Sequence, residues 1–142
     1  MAVLFPDRNP TATSNEKTLH TKTVQLTFSD VTTAGANSVK AVLPADATIL
    51  EFSYWKKTQL SGGSISAATL SIGIPGTPTN FVNAFDILTP AAGQQGHLSP
   101  ATNIMQNYQV PLGGDIPLLF TGTATTGNPT AGELYVKIIY VR

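Results

Sequence analysis

Apolar side chains recur at every second position in this chain, and short turn signals rather than helical segments divide one such stretch from the next. A period of two places alternate side chains on opposite faces of an extended strand, so that one face can be buried while the other meets water. Val24, Leu26 and Phe28 alternate with Thr23, Gln25 and Thr27 from residue 17 onward. Asp30 and the stretch 33–37 read as a turn, and Ser38 to Leu43 as a short strand stopped by Pro44. Ala47 to Thr58 is the longest strand, with Leu50, Phe52 and Tyr54 expected on one face and Ile49, Glu51, Ser53 and Trp55 on the other. Ser61-Gly62-Gly63-Ser64 is a hairpin-type loop, after which Leu70, Ile72 and Ile74 alternate with Thr69, Ser71 and Gly73. The chain turns at 75–78 and extends again over 80–88. Residues 116–123 and 133–142 read as further strands around a turn region at 124–132.

About seven or eight strands with turns at short intervals predict an all-β, antiparallel sandwich of jelly-roll type for residues 17–142. The expected core holds Val24, Leu26, Phe28, Leu50, Phe52, Leu70, Ile72, Phe120, Val136 and Ile138. Twenty threonines fit this reading, since a β-branched side chain favours strands. Residues 89–107, rich in Pro, Gly, Gln and Asn, read as a long contact-making loop.

Residues 1–16 lack that pattern. Pro6 and Pro10 interrupt a polar segment whose tip is Val3-Leu4-Phe5, which predicts an extended N-terminal arm rather than a strand of the core. Such an arm cannot bury its own apolar tip, so Val3, Leu4 and Phe5, with Arg8 beside them, are expected to bind a partner subunit. The other reading is a frayed terminus.

Composition narrows the chemistry. Charged residues are only 11% of the chain and the net charge is zero, against a usual charged share of about 25%. No basic stripe is present, which argues against nucleic acid as a partner, and so weakly charged a surface suits a subunit inside an assembly. Without cysteine there are no disulfides, thiolate nucleophiles or Cys-containing metal sites. No apolar run approaches the ~20 residues of a membrane span. The opening MAVLFPDRNP lacks the form of a signal peptide, so the expectation is a chain made in the cytoplasm, with no membrane partner.

Catalytic patterns are missing. The two histidines are His20 and His97, and no G-x-S-x-G elbow accompanies either. The acids are scattered singly, and Asp30, Asp46 and Asp115 stand where Asp ordinarily forms turns. Gly73-Ile74-Pro75-Gly76 leads to Thr77-Pro78 rather than into a helix, so it makes no phosphate cradle. The expectation is no enzyme, with no catalytic, cofactor-binding or metal-binding residues. Tyr54-Trp55-Lys56-Lys57 suggests a sugar-stacking or nucleic-acid platform, but period two puts the adjacent rings on opposite faces. The outward one, Trp55, is then an interface anchor.

Three segments resemble small structural proteins of tailed phages: Val42-Leu43-Pro44-Ala45-Asp46-Ala47-Thr48-Ile49, Ala68-Thr69-Leu70-Ser71-Ile72-Gly73 followed by Pro78-x-x-Phe81, and the closing strand within 130–140. The resemblance implies a jelly-roll capsid cement or decoration protein with no active site. It would bind the major capsid protein at the capsid surface and associate with itself as a homotrimer. The alternative within the same group is a head-fibre, tail-fibre or baseplate component with a carbohydrate-binding receptor role. A bacterial adhesive β-domain is a third class, which predicts export.

Overall fold

The computed structural model describes residues 18–98 and 108–142. Ten strands are present among them: β1 (Leu19–Thr27), β2 (Val31–Thr32), β3 (Asn37–Leu43), β4 (Thr48–Ser61), β5 (Ala67–Ile74), β6 (Thr77–Asp86), β7 (Gln95–His97), β8 (Tyr108–Gln109), β9 (Ile116–Thr125) and β10 (Ala131–Val141). They form two sheets of five strands. The first runs β1-β10-β4, with β7 and β8 end to end along the far edge of β4. The second runs β6-β5-β9, with β2 and β3 sharing the far edge of β9. All pairings are antiparallel except the two-residue bridge of β2 to β9.

The sheets close face to face on one core, giving a jelly-roll-like β-sandwich. Phe52 of β4 stacks on Phe81 of β6, with ring centroids 5.7 Å apart, and Tyr54 of β4 meets Phe85 of β6 in a tilted arrangement at 5.5 Å. Around them lie Ile49, Leu70, Ile72, Leu118, Phe120, Val136 and Ile138, all buried. Each such side chain contributes roughly 1.5–3 kcal/mol when fully buried, an upper figure because the unfolded chain already hides part of this surface.

Eight of the ten residues expected in the core are there; Phe28 and Leu50 are not. Phe28 does not continue β1. The chain leaves the strand at Thr27 for a single 3-10 turn, Phe28–Asp30, and Phe28 is 40% exposed. The turn is fixed by Asp30, whose carboxylate accepts the Thr27 amide at 2.9 Å and pairs with Lys40 at 2.8 Å. Val31 then enters the core in place of Phe28. Leu50 is displaced by a bulge: β10 pairs Ile139 with Glu51 and Tyr140 with Ile49, leaving Leu50 as the extra residue. An extra residue reverses the inside-outside alternation on one side of it. Ile49 is therefore fully buried and Leu50 is 40% exposed.

Two further differences concern strand limits. β6 begins at Thr77 and includes Pro78. A strand tolerates proline where no ladder bond is required of it, and β6 is an edge strand. The tight connection from β5 places Gly76 at φ +89°, and a side chain at Gly73 would collide with the Thr77 and Pro78 backbone. The expected loop 89–107 contains β7, which shows no apolar alternation and joins β4 through backbone pairing.

Candidate ligand-binding groove on the first sheet

Alternation along β10 sends Leu134, Val136, Ile138 and Tyr140 inward, which leaves Glu133, Tyr135, Lys137 and Ile139 on the outward face. On β4 the same rule buries Phe52 and Tyr54 and turns Ser53 and Trp55 outward. Register then assembles two rows across the sheet. Gln25, Tyr135, Trp55 and Gln95 form one; Thr23, Lys137, Ser53 and His97 form the next. Together these residues, without Gln25 but with Gly96 and the edge of Tyr54, line a groove of about 610 Å³.

Trp55, 44% exposed, is the centre of the groove. Its ring stacks on Tyr135 at a centroid distance of 5.4 Å and an interplanar angle of 18°. Offset stacking of this kind contributes roughly 0.5–1.5 kcal/mol beyond area burial. The Tyr135 hydroxyl donates to Glu133 Oε2 at 2.5 Å, and Gln25 Nε2 donates to the same oxygen at 2.6 Å. The Tyr135 hydroxyl, Gln25 and Lys57 hold the Glu133 carboxyl below the usual range, and the bond to that carboxylate raises the Tyr135 phenol.

The far wall is β7, and the core holds it in place. Lys56 points inward and is 1% exposed. Its ammonium donates to the carbonyl oxygens of Ile87 and, at 3.1 Å, Leu88; the Leu88 oxygen also accepts Gln59 Nε2 at 2.6 Å. The Lys56 amide bonds Gln94 O, and Gly93 and Leu98 donate to Lys56 O and Phe52 O. Gly96 faces the Tyr54 ring, where an added Cβ would stand 3.3 Å from Cε1. Burial lowers the pKa of the Lys56 ammonium, an effect the charge of Asp86 opposes.

The groove contains the nearest approach to a catalytic arrangement among the described residues. Glu51 Oε1 lies 3.0 Å from His97 Nδ1, and Ser53 stands opposite His97 in the register. Nucleophilic catalysis requires the serine hydroxyl on the imidazole, and no hydrogen bond joins Ser53 to His97. The imidazole side chain is also 76% exposed, far from a water-excluded site. No group of three or more potential metal ligands occurs among the described residues, and no helix there is long and apolar enough to cross a membrane.

Of the residues expected to bind a partner, Trp55 lies in this groove, and Val3, Leu4, Phe5 and Arg8 lie outside the described residues. Sequence reading correctly separated Tyr54 from Trp55 but did not find Tyr135, the second ring beside Trp55. The two are 80 positions apart in the chain and meet only through the β4–β10 register. It also missed Lys56, although period two from Tyr54 puts it on the inward face.

No protein-family model matches the sequence, and no curated protein matches it. Solved structures share its fold. A chain of the cyanophage Pam1 capsid asymmetric unit matches with a TM-score of 0.66 at 15% identity, over 89% of this chain and 86% of that one. A chain of the acidic stable capsid of Helicobacter pylori bacteriophage KHP30 matches with a TM-score of 0.53 at 10% identity, over 89% and 94%. One from the capsid of Ralstonia phage GP4 gives 0.53 at 16% identity, over 88% and 84%. The likeness is one of fold, and all three chains come from phage capsid structures.

Proposed function

We propose that this protein is a structural component of a phage virion, a cement protein that decorates and braces the capsid lattice as a trimer. The observation that carries this reading is the fold shared along nearly the whole length of a chain in the Pam1 capsid. The surface supports it: with charged residues at 11% and zero net charge, the domain repels neighbouring subunits weakly. In this proposal the segment carrying Val3, Leu4, Phe5 and Arg8 makes the contact with the major capsid protein. Burial of Leu4 and Phe5 there would contribute roughly 1.5–3 kcal/mol each, and the two prolines reduce the entropy lost on ordering.

The test is reconstitution. Purified chain is added to particles lacking it and located by electron microscopy, beside a variant without residues 1–12. The expected result is saturable density on the capsid at three-fold positions, with occupancy reduced for the truncated chain. Density on the tail, or no binding by the full chain, would reject the cement role. Equal occupancy for the truncated chain would reject the contact assigned to the arm.

A further inference from the structure

We infer that the Trp55–Tyr135 groove binds an acidic polysaccharide, with a sugar ring laid against the aromatic pair and a sugar carboxylate at Lys137. This goes beyond the capsid role and does not depend on it.

Three observations lead there. The first is the aromatic pair: Trp55 is half-exposed on an open sheet face, and its neighbour Tyr135 is itself held by Glu133. The C–H face of a pyranose packs on such a ring, as apolar surface does on any aromatic. The second is what surrounds the rings. Thr23, Ser53, Gln95 and His97 bring hydroxyl, amide and imidazole groups into the same groove, the donor and acceptor mixture a hydroxyl-rich ligand needs.

The third is charge. The carboxylates near the groove are engaged, Glu51 with His97 and Glu133 with Tyr135, Gln25 and Lys57. Lys137 lines the groove, is exposed, and has no ion-pair partner among the described residues. Its cross-strand partner is Ser53, which makes it a diagonal neighbour of Trp55 at roughly 7–8 Å. A uronic-acid or related sugar can therefore rest on Trp55 and reach Lys137 with its carboxylate.

Trp55 is the only tryptophan of the chain, so its emission reports on this groove directly. The full-length protein is titrated with oligogalacturonate, oligomannuronate and oligosialic acid, and with a neutral maltodextrin of matching length. At least one acidic oligomer is expected to shift the emission saturably, binding about fivefold or more tighter than the neutral one, with the preference eroded by salt. Lys137→Met, a surface change that leaves the core untouched, should bring the acidic oligomer to the neutral level. Trp55→Ala, followed by calorimetry, should weaken both by about tenfold or more. The inference is overturned if no acidic oligomer moves the emission, or if Lys137→Met keeps the preference. It is equally overturned if Trp55→Ala abolishes self-association or particle occupancy while acidic oligomers have no effect, which would make the groove a protein contact.

Discussion

Lys56 is the most informative residue to perturb, because a buried cation here bonds the Ile87 and Leu88 carbonyls at the start of the segment that leads into one wall of the groove. Replacement by methionine keeps most of the volume and removes the charge. The Ile87 carbonyl then loses the Lys56 donor, whereas the Leu88 carbonyl retains Gln59. A buried acceptor left without its donor costs about 1–3 kcal/mol. Relief from desolvating an ammonium acts in the opposite direction, since apolar replacement of a buried charge is often neutral. The net expectation for Lys56→Met is a loss of about 1–2 kcal/mol at neutral pH, read from urea unfolding followed by circular dichroism. The loss should be local as well as global: the amides of Gly93 and Leu98, bonded to Lys56 O and Phe52 O, should exchange faster. The pH dependence has a definite sign. Burial sets the native pKa of Lys56 below its ordinary 10.5, so between those two values the unfolded chain binds more protons than the native one. The stability of the native protein relative to Lys56→Met must therefore rise with pH across that window and stay flat below it. A variant as stable as the native protein with unchanged exchange at Gly93 and Leu98 would refute the latch, and a stability gap that narrows towards pH 10.5 would refute the buried charge.

Two further substitutions test the local structure. Asp30→Ala removes both the acceptor for the Thr27 amide and the partner of Lys40, and should cost about 1–2 kcal/mol, mostly from the lost cap. Burial pushes the Asp30 carboxyl up, but Lys40 and Thr27 together hold it below its ordinary 3.8; its contribution is thus complete above 3.8 and lost as pH falls through the lowered value, and acid titration of native and variant proteins should converge there. At the β4 bulge, Leu50→Thr should change stability by no more than about 0.5 kcal/mol and Ile49→Thr should cost about 2 kcal/mol or more; the reverse order in urea unfolding would restore the unbulged register.

What the chain's own order of residues shows is the strand and its two faces. Val24 and Leu26, and Leu70 and Ile72, alternate with polar or small neighbours so regularly that strand, inward face and all-β class follow from steric geometry alone. The separation of Tyr54 from Trp55 follows in the same way. The departures arise where an interaction distant in sequence overrides that period. Leu50 faces out because β10 skips it, and Phe28 leaves the strand because the Asp30 carboxylate, partnered by Lys40, binds the Thr27 amide. β7 has no apolar pattern to find, since its place on β4 depends on backbone bonds and on the space Gly96 leaves for Tyr54. The groove depends mainly on this second kind of information. Trp55, Tyr135, Lys137 and His97 come from three strands; period two puts Tyr135 and Lys137 on one face of β10, but nothing in the local sequence relates that pair to Trp55 or His97. Period two decides which side of a strand each side chain occupies, whereas strand order and register decide which side chains become neighbours, and those are set only when the two sheets close on their shared core.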